Sequence, residues 1–322
     1  MRFLRPVSET IWMRWVQRVR DLTDVHVRGL LTVSRQIHDA KILTARALIS
    51  QTAQMGTLDD IRAAEFKVFS QFGEDGIIQY LIRQAQVPAQ SRSFVEFGVE
   101  SYEEANTRFL VLNDNWCGLI MDGSSSNMRR VRNSSIYWRH NLVAVDAFVD
   151  ADNINGLIRD AGFSGEIGLL SVDIDGNDYW VWDRIDVVNP IVVVAEYNSV
   201  FGPRHAVTVP YDKGFDRGRA HSSHLYWGAS LKALVELGNR KGYGFVGSNN
   251  AGNNAFFVRR DRLNGQRELT AEEGYVESQF RESRDEAGNL TFLSGAARLQ
   301  KIIDLPIYDL AQNAIVRLRD LN

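Results

Sequence analysis

The sequence predicts an α/β protein built on a doubly wound, mostly parallel seven-stranded sheet, closed at one edge by an antiparallel hairpin and preceded by N-terminal helices. Between about residues 68 and 260, short apolar runs typical of strands alternate with segments typical of helices. Such alternation is characteristic of parallel βαβ units. The segment 243–260 then contains two strand-like runs joined by a short Asn- and Gly-rich loop, which predicts the hairpin.

Five parallel strands are predicted in chain order. The runs are "SFVEFG" (93–98), "CGLIMD" (117–122), "NLVAV" (141–145), "IGLLSVD" (167–173) and "PIVVVAEYN" (190–198). Near-continuous apolar runs of this kind are typical of strands covered on both faces. The intervening helices are predicted over residues 103–113, 125–133, 151–162, 178–185 and 230–241. Ser101 with Glu104 three residues later predicts a capping box for the first of them.

The chain divides by pattern into three parts: residues 1–60, 61–262 and 263–322. In the first part, arginines lie between apolar residues that recur at three- and four-residue steps, namely Trp12, Val16, Val19, Val27, Leu30 and Ile37. This pattern predicts one or two amphipathic, basic helices. They would pack on their own domain or on a second subunit, giving a homodimer, or would lie on an anionic membrane surface. The last part is predicted only as a C-terminal extension.

Bulk composition excludes several classes of protein. The chain has 322 residues, of which 44% are hydrophobic and 24% are charged, with a net charge of −3. These values are ordinary for a globular protein and give no reason to expect a nucleic-acid partner. The single cysteine, Cys117, fits a reducing compartment. We therefore expect a cytoplasmic protein, or one held at the inner face of the membrane by its N-terminal helices.

The end of the first predicted strand is the expected place for a cofactor, because open α/β sheets bind ligands at the carboxyl ends of their strands. Gly98 lies there, but Glu100 and Tyr102 stand where a dinucleotide-binding motif would have further glycines. Acidic residues at Glu96 and Glu100 would also repel a pyrophosphate. Asp122 ends the second strand, where an acid can accept hydrogen bonds from ribose hydroxyls. The pattern therefore favours a cofactor with a ribose but no phosphate, such as S-adenosylmethionine.

Several motifs resemble those of class I S-adenosylmethionine-dependent methyltransferases. They are "SQFGEDGI" (70–77), "FVEFGVES" (94–101), "GLIMDGS" (118–124), "LLSVDIDGNDYWVW" (169–182) and "EYNSVFGP" (196–203). Within that class the chain is most similar to the FkbM-like and macrocin-O-methyltransferase-like groups, which act on sugars and sugar-decorated natural products. The resemblance covers about residues 68–260 and implies a Rossmann-like methyltransferase fold, with 61–262 as the catalytic domain.

The resemblance also implies roles for individual residues. Glu96 and Gly98 would contact the methionine end of S-adenosylmethionine, and Asp122 would contact its ribose. Either Ser124 or Asp146 would lie near the adenine. Residues of the segment before the first strand would fold over the cofactor, namely Gln71, Glu74 and Asp75; the alternative is that they only begin a helix.

Acidic and amide side chains follow the fourth and fifth strands. Asp173 ends the fourth strand, and Glu196 and Asn198 end the fifth. Their oxygens suit Mg²⁺, and a cation would lower the pKa of a sugar hydroxyl. Two alternatives stay open: a metal-free role of Asp173 in orienting the substrate, or turn formation alone. Asp178 is predicted to cap the next helix.

The connection after the fifth strand, residues 201–230, is long enough to form a lid or a substrate-binding element. It contains His205, His221 and His224, and a histidine there could act as general base. His221 and His224 would share a face if the stretch were helical. Aromatic residues that could either stack on a sugar or pack in the core complete the segment: Tyr211, Tyr226 and Trp227.

The leading hypothesis is a S-adenosylmethionine-dependent O-methyltransferase acting on a sugar hydroxyl of a glycoconjugate or polysaccharide precursor, with Mg²⁺ as an open question. Two alternatives remain. Asp173-Ile174-Asp175 matches the D-x-D pattern of metal-dependent glycosyltransferases. The departure from the glycine-rich motif gives some weight to a catalytically silent relative that serves as an interaction protein, whereas the presence of Asp122 argues against it.

Overall fold

The structure is a computed structural model that describes residues 9–321. The α-helices are α1 (Glu9–Gln54), α2 (Glu74–Gln84), α3 (Arg108–Asp114), α4 (Ser125–Arg132), α5 (Ser135–Arg139), α6 (Ile154–Asp160), α7 (Asp178–Arg184), α8 (Arg217–Ala220), α9 (Leu231–Arg240), α10 (Ala271–Gly274) and α11 (Ala296–Ile302). The strands are β1 (Ser93–Phe97), β2 (Cys117–Asp122), β3 (Leu142–Asp146), β4 (Gly165–Val172), β5 (Val188–Glu196), β6 (Val207–Thr208), β7 (Tyr243–Ser248), β8 (Asn254–Arg259), β9 (Pro306–Asp309) and β10 (Ala314–Arg317).

The predicted seven-stranded sheet is confirmed, with strand order β3-β2-β1-β4-β5-β8-β7. The first five strands of this order run parallel, whereas β8 pairs antiparallel with both β5 and β7. The hairpin therefore closes one edge, as expected. The strand order reverses beside β1, because β2 and β3 lie on one side of it and β4 and β5 on the other. In open α/β sheets such a reversal marks the usual ligand site.

Apolar residues cover the sheet on both faces, which explains the near-continuous hydrophobic runs of its central strands. Successive side chains of a strand point to opposite faces. Accordingly, Val95 and Phe97 of β1 enter a core cluster that contains Trp182, while Phe94 enters a second cluster with Tyr80. Trp182 is fully buried in the first of these clusters.

The helix predicted from Glu103 begins five residues later, at Arg108, and the predicted capping box is wrong. Its local signal is overridden by the buried carboxylate of Glu96, which accepts hydrogen bonds from the backbone N–H of Asn106 at 2.8 Å and of Thr107 at 3.1 Å. These bonds hold residues 98–107 as a loop against the strand end. Glu104 instead pairs with Lys67, with 3.0 Å between Nζ and Oε1.

The described chain divides after Ala47 into two compact units. The second includes the sheet and the C-terminal residues together. Those residues form a three-stranded antiparallel sheet, β10-β9-β6, with the long connection that follows β5. A small core that includes Val207, Tyr226 and Ile307 holds this sheet in place. The extension thus packs against the connection that was predicted to bind substrate.

The first unit consists of α1 up to residue 47. Where one or two helices were predicted, the structure has one continuous helix, and Leu30, Val33 and Ile37 are more than half exposed on it. The side chains of Trp12, Arg14 and Arg28, like residues 1–8 and 322, lie outside the described part. No described helix combines the length and the apolarity needed to cross a bilayer. Contact of α1 with a second copy or with an anionic membrane stays a prediction.

Candidate active site

Three adjoining pockets open at the carboxyl ends of β1, β2, β4 and β5. The first, which we call the β2-side depression, has a volume of about 310 Å³ and includes Gly98, Asp122 and Asp173 in its lining. The second, the β5-side cavity, has a volume of about 260 Å³ and is lined by Glu196 together with C-terminal residues. A third pocket of about 220 Å³ shares lining residues with both. Arg217 lines all three pockets.

Gly98 is required where β1 ends, as its position in the sequence suggested. Its φ is +78°, and a Cβ atom there would overlap the backbone carbonyl oxygen of Asp173. Only glycine combines this φ with so close an approach. The glycine thus brings the loops after β1 and β4 together at the floor of the β2-side depression.

Asp122 lies in the β2-side depression, where its prediction as a ribose contact requires it. Its carboxylate accepts hydrogen bonds from the backbone N–H of Glu100 and of Ser124, both at 2.8 Å, and from the Asn127 amide at 3.2 Å. A carboxylate offers about four acceptor positions. The side chain is therefore fixed in orientation and retains capacity for a ligand hydroxyl.

The residues predicted near the adenine have local roles. The hydroxyl of Ser124 accepts a hydrogen bond from Asn127 N–H as the N-cap of α4. Asp146 accepts from Ser125 Oγ at 2.9 Å, and this bond, with help from Arg132, lowers the pKa of its carboxyl. Neither is among the residues that line the depression. Phe148, just after β3, does line it and is 57% exposed. Sequence analysis missed this aromatic residue.

Glu74 and Asp75 begin α2, which is the alternative to their predicted cofactor contact, and neither residue lines one of the three pockets. Both are buried, and Glu74 accepts from the backbone N–H of Phe72 and Gly73 and from the amides of Asn249 and Asn254. These bonds fasten the start of α2 to the β7–β8 hairpin. Gln71, by contrast, lines both the β5-side cavity and the third pocket.

Asp75 and Glu96 are buried and accept hydrogen bonds from backbone N–H groups of neighbouring loops. One oxygen of Asp75 accepts from three consecutive backbone N–H groups, those of residues 68–70. Glu96 lines the third pocket, but both of its oxygens are engaged by residues 106 and 107. Burial raises the pKa of both carboxyls. The predicted contact of Glu96 with a cofactor thus competes with its hold on the loop before α3.

Asp173 and Glu196 form a carboxyl pair where the pockets meet. They lie at the carboxyl ends of the neighbouring parallel strands β4 and β5, and both line the third pocket. Burial, followed by repulsion from neighbouring acids, raises the pKa of each well above its usual value. Among the described residues, Glu196 Oε2 has no hydrogen-bond partner although it is buried. Such a pair titrates as a unit that shares a proton.

The other two aspartates of "DIDGND" have separate partners. Asp175 Oδ1 lies 3.0 Å from Arg217 Nη1. Asp178 accepts from the backbone N–H of Ile174 and Gly176 and so closes the loop before α7. Asn177, not Asp178, is the N-cap, so the predicted cap is one residue out. Burial raises the pKa of Asp178 to about 6.

The predicted metal ligands do not fit a cation. Asn198 uses its amide NH₂ on the carbonyl oxygens of Leu225 and Trp227, and its amide oxygen accepts from Val200 N–H at 3.0 Å. It therefore anchors the long connection. In the part of the chain that the structure describes, no group of three or more His, Cys, Asp or Glu side chains is arranged to hold a metal. Asp173 and Glu196 remain as two carboxyls without a third ligand.

Arg217 is the central residue that sequence analysis missed. Besides Asp175, it contacts the Trp227 ring, with 4.9 Å between guanidinium carbon and ring centroid, and donates from Nε to the His224 carbonyl oxygen at 2.7 Å. It lies within 3.8 Å of a Glu282 carboxylate oxygen. An arginine in a long, aperiodic connection carries no local signal that would identify it.

His221 and His224 were predicted to share a face if their stretch were helical, but the stretch is not helical and they do not share one. His221 ends α8 in an extended conformation, and its Nδ1 lies 2.7 Å from Ser223 Oγ. His224 has a φ of +59°. His205 offers its carbonyl oxygen to Ser230 Oγ. The described residues that line the three pockets include none of these histidines, so a catalytic role for His221 or His224 stays a prediction.

Trp227 is the one of the three predicted aromatic residues that lines the β5-side cavity. Tyr226 is buried and donates to the Pro306 carbonyl oxygen. The Tyr211 hydroxyl accepts from Ala151 N–H, and its ring packs edge-on against Trp180. Two further aromatic rings of the lining, Phe72 and Phe280, have centroids 4.6 Å apart.

Comparison with known proteins gives fold neighbours only. No family model matches the chain, and no curated protein matches it. Among solved structures, the N-terminal domain of EvdMO1 with SAH bound is 10% identical, with 66% of this chain and 94% of that chain covered and a TM-score of 0.38. The O-methyltransferase from Bacillus cereus in complex with SAH is 11% identical, with coverage of 67% and 89% and a TM-score of 0.35.

A third solved structure, the carbon methyltransferase of CurJ, is 10% identical, with 62% of this chain and 56% of that chain covered and a TM-score of 0.37. The TM-scores are low in all three cases. The function of the site therefore has to follow from its own residues.

Proposed function

We propose that the protein is a S-adenosylmethionine-dependent O-methyltransferase that acts on a sugar hydroxyl. The observation that carries the proposal is the position of the Asp173–Glu196 pair. It lies between a depression whose shape and charge suit a ribose-bearing cation and a cavity lined by aromatic and polar side chains. A base between two binding sites is what methyl transfer to a hydroxyl requires.

The β2-side depression suits S-adenosylmethionine because its lining is strongly acidic. Glu100, Asp122, Asp173, Asp175 and Asp216 line it, with Arg217 as the one basic residue in the described lining. A sulfonium cation is favoured there, whereas a diphosphate would be repelled. Asp122 would hold the ribose, and Phe148 offers a face for the adenine. When bound, the cofactor supplies an electrophilic methyl group.

The carboxyl pair would act as the base for the acceptor. A hydroxyl bound in the β5-side cavity would transfer its proton to the pair through Glu196 Oε2, whose hydrogen-bonding capacity is unused among the described residues. The raised pKa of the pair suits this step, because it makes the pair a stronger base than an ordinary carboxylate. The aromatic rings of Trp227, Phe72 and Phe280 offer stacking surfaces for a sugar, and the site holds it in position.

The glycosyltransferase alternative fits the site less well. A D-x-D motif grips a metal–diphosphate with both carboxylates, but Asp175 is paired with Arg217 while Asp173 faces Glu196. The acidic lining of the depression also opposes a sugar nucleotide.

Calorimetric titration with S-adenosylmethionine tests the proposal. We expect binding to wild-type protein and to Asp160→Asn, which removes an exposed carboxylate on α6, and binding at least about tenfold weaker to Asp122→Asn, since a hydrogen bond to a charged group is worth roughly 1.5–3 kcal/mol. Absence of binding to folded wild-type protein would refute the proposal and favour the catalytically silent alternative. Equal binding to both variants would refute the assignment of Asp122.

A further inference from the structure

The C-terminal segment gives the β5-side cavity a wall that holds two guanidinium groups with unused hydrogen-bonding capacity. Ser278, Phe280, Arg281, Glu282 and Arg298 all line the cavity. The segment lies outside the region that resembles a known family, and its chemistry is not needed to bind a cofactor. It therefore bears on the acceptor alone.

Arg298 is the first of these groups. It is 4% exposed, and its guanidinium is fixed by Glu277 Oε1 at 2.8 Å and the Phe280 carbonyl oxygen at 3.3 Å. Its Nε, also buried, has no acceptor among the described residues. A buried, unpaired donor of a charged group is costly unless a ligand satisfies it. The arginine is thus held ready at the cavity wall with one donor free.

Arg281 carries the second of the two guanidinium groups. Its Nε donates to the Phe292 carbonyl oxygen at 3.2 Å, and its guanidinium carbon lies 5.6 Å from the Phe292 ring centroid. Unlike Arg217, it forms no ion pair with a carboxylate in the described part of the chain. Two carboxyl groups also line the cavity. Glu282 is matched by Arg284 at 3.4 Å and Arg217 at 3.8 Å, and Glu196 belongs to the proton-sharing pair.

We infer that the acceptor is an anionic sugar, whose carboxylate or phosphate group is bound by Arg281 and Arg298 while its hydroxyl faces Glu196. The inference rests on the proposed function and narrows its substrate class. Guanidinium groups bind carboxylate and phosphate through paired, charge-assisted hydrogen bonds. The anion would fix the sugar at the C-terminal wall, on a different side of the cavity from the base.

Binding of three matched sugars to the full-length, SAH-saturated protein tests the inference by calorimetry. The ligands are glucose, glucuronate and glucose 6-phosphate. Comparison of the last two with glucose measures the effect of a carboxylate and of a phosphate separately. We expect at least one anionic sugar to bind about tenfold or more tightly than glucose, because charge-assisted bonds are roughly twice as strong as neutral ones. Arg281→Gln, at an exposed position, should remove most of this preference, and Arg298→Lys should reduce it.

The matched control is Arg129→Gln, which removes an exposed charge on α4 outside the cavity lining and should keep the preference. Glucose binding as tightly as both anionic sugars, failure of all three to bind, or a preference that survives in Arg281→Gln would overturn the inference. SAH affinity, measured first on the same samples, separates the two proposals: its absence refutes the proposed function, whereas normal SAH binding without anion preference refutes only the anionic acceptor.

Discussion

Arg217 Nη1 lies 3.0 Å from Asp175 Oδ1, and this ion pair joins the long connection after β5 to the loop after β4. Asp175 has a φ of +56°, which non-glycine residues adopt only at a cost in free energy. The guanidinium also packs on Trp227 in the β5-side cavity. One side chain thus sets the boundary between the depression assigned to the cofactor and the cavity assigned to the acceptor.

Replacement of Arg217 should therefore impair positioning. We expect Arg217→Gln to lower kcat/KM by about 100-fold, since small misplacements of bound groups can have effects of this size. Arg217→Lys should recover only part of the activity, because lysine lacks the planar guanidinium that pairs with Asp175 and packs on the indole. Steady-state kinetics would check this. Arg219→Gln, two residues away and highly exposed, should behave as wild type; equal losses in both variants would contradict the assignment.

The carboxyl pair should make stability depend on pH. Because its pKa values are raised in the folded state, the folded protein binds more protons than the unfolded one above the ordinary pKa values of these acids, 3.8 and 4.5. Stability from the pair is therefore complete at low pH and falls as pH rises through that window. The glutamine of Glu196→Gln cannot ionise. We therefore expect this variant to be more stable than wild type at pH 8 by at least about 1 kcal/mol, since one unit of pKa corresponds to about 1.36 kcal/mol.

Denaturant titrations of Glu196→Gln at pH 5 and pH 8 would measure this difference. Asp178, with a pKa of about 6, contributes with the same sign in both proteins. Exposed Glu286→Gln is the control and should follow wild type. A stabilising effect that is larger at pH 5 than at pH 8 would refute the raised pKa of the pair.

Glu74 should be a stability residue and not a ligand contact. Its carboxylate accepts four N–H hydrogen bonds, so Glu74→Gln would turn an amide NH₂ toward donors. We expect a loss of about 2–4 kcal/mol in the free energy of unfolding, measured by urea denaturation, with unchanged S-adenosylmethionine affinity. Glu104→Gln, in an exposed ion pair, should cost less than about 1 kcal/mol. A weakened affinity at unchanged stability would restore Glu74 to the binding site.

Gly98→Ala should destabilise the protein by more than about 2 kcal/mol, because alanine at a φ of +78° is strained and its Cβ would overlap the Asp173 carbonyl oxygen. Urea denaturation would measure the change. The control is Gly156→Ala in α6, where a Cβ meets open space, so stability should stay the same or rise by up to about 1 kcal/mol. Equal stability of the two variants would show that the loops after β1 and β4 can separate without cost.

The sheet could be predicted from sequence because its central strands are buried on both faces. Such strands have nearly continuous apolar sequences, as β5 does. Asp122 and Asp173 could be assigned to the carboxyl edge of the sheet because each stands at the end of a predicted parallel strand. The start of α3 could not, since it depends on hydrogen bonds from Asn106 and Thr107 to a carboxylate ten residues earlier. Local capping preference is weaker than that tertiary contact.

The burial of Glu74 could not be predicted for a similar reason. Its amide partners, Asn249 in the hairpin loop and Asn254 at the start of β8, lie more than 170 residues further along the chain. The cavity wall around Arg281 and Arg298 was also missed, because the segment before it is held by hydrogen bonds to Tyr197 and Ser199, more than 70 residues earlier in the chain. Neither contact leaves a periodic pattern in the sequence.

The β5-side cavity has one wall, formed by residues from Ser278 onward, that has no counterpart in the β2-side depression. All residues that line the β2-side depression lie at or before Gly218 in the sequence. Substitutions after Ser278 can therefore change residues that line the β5-side cavity while every lining residue of the β2-side depression keeps its identity. Under the proposed function, the acceptor could therefore diverge by substitution in this wall while the residues proposed to hold the methyl donor stay the same.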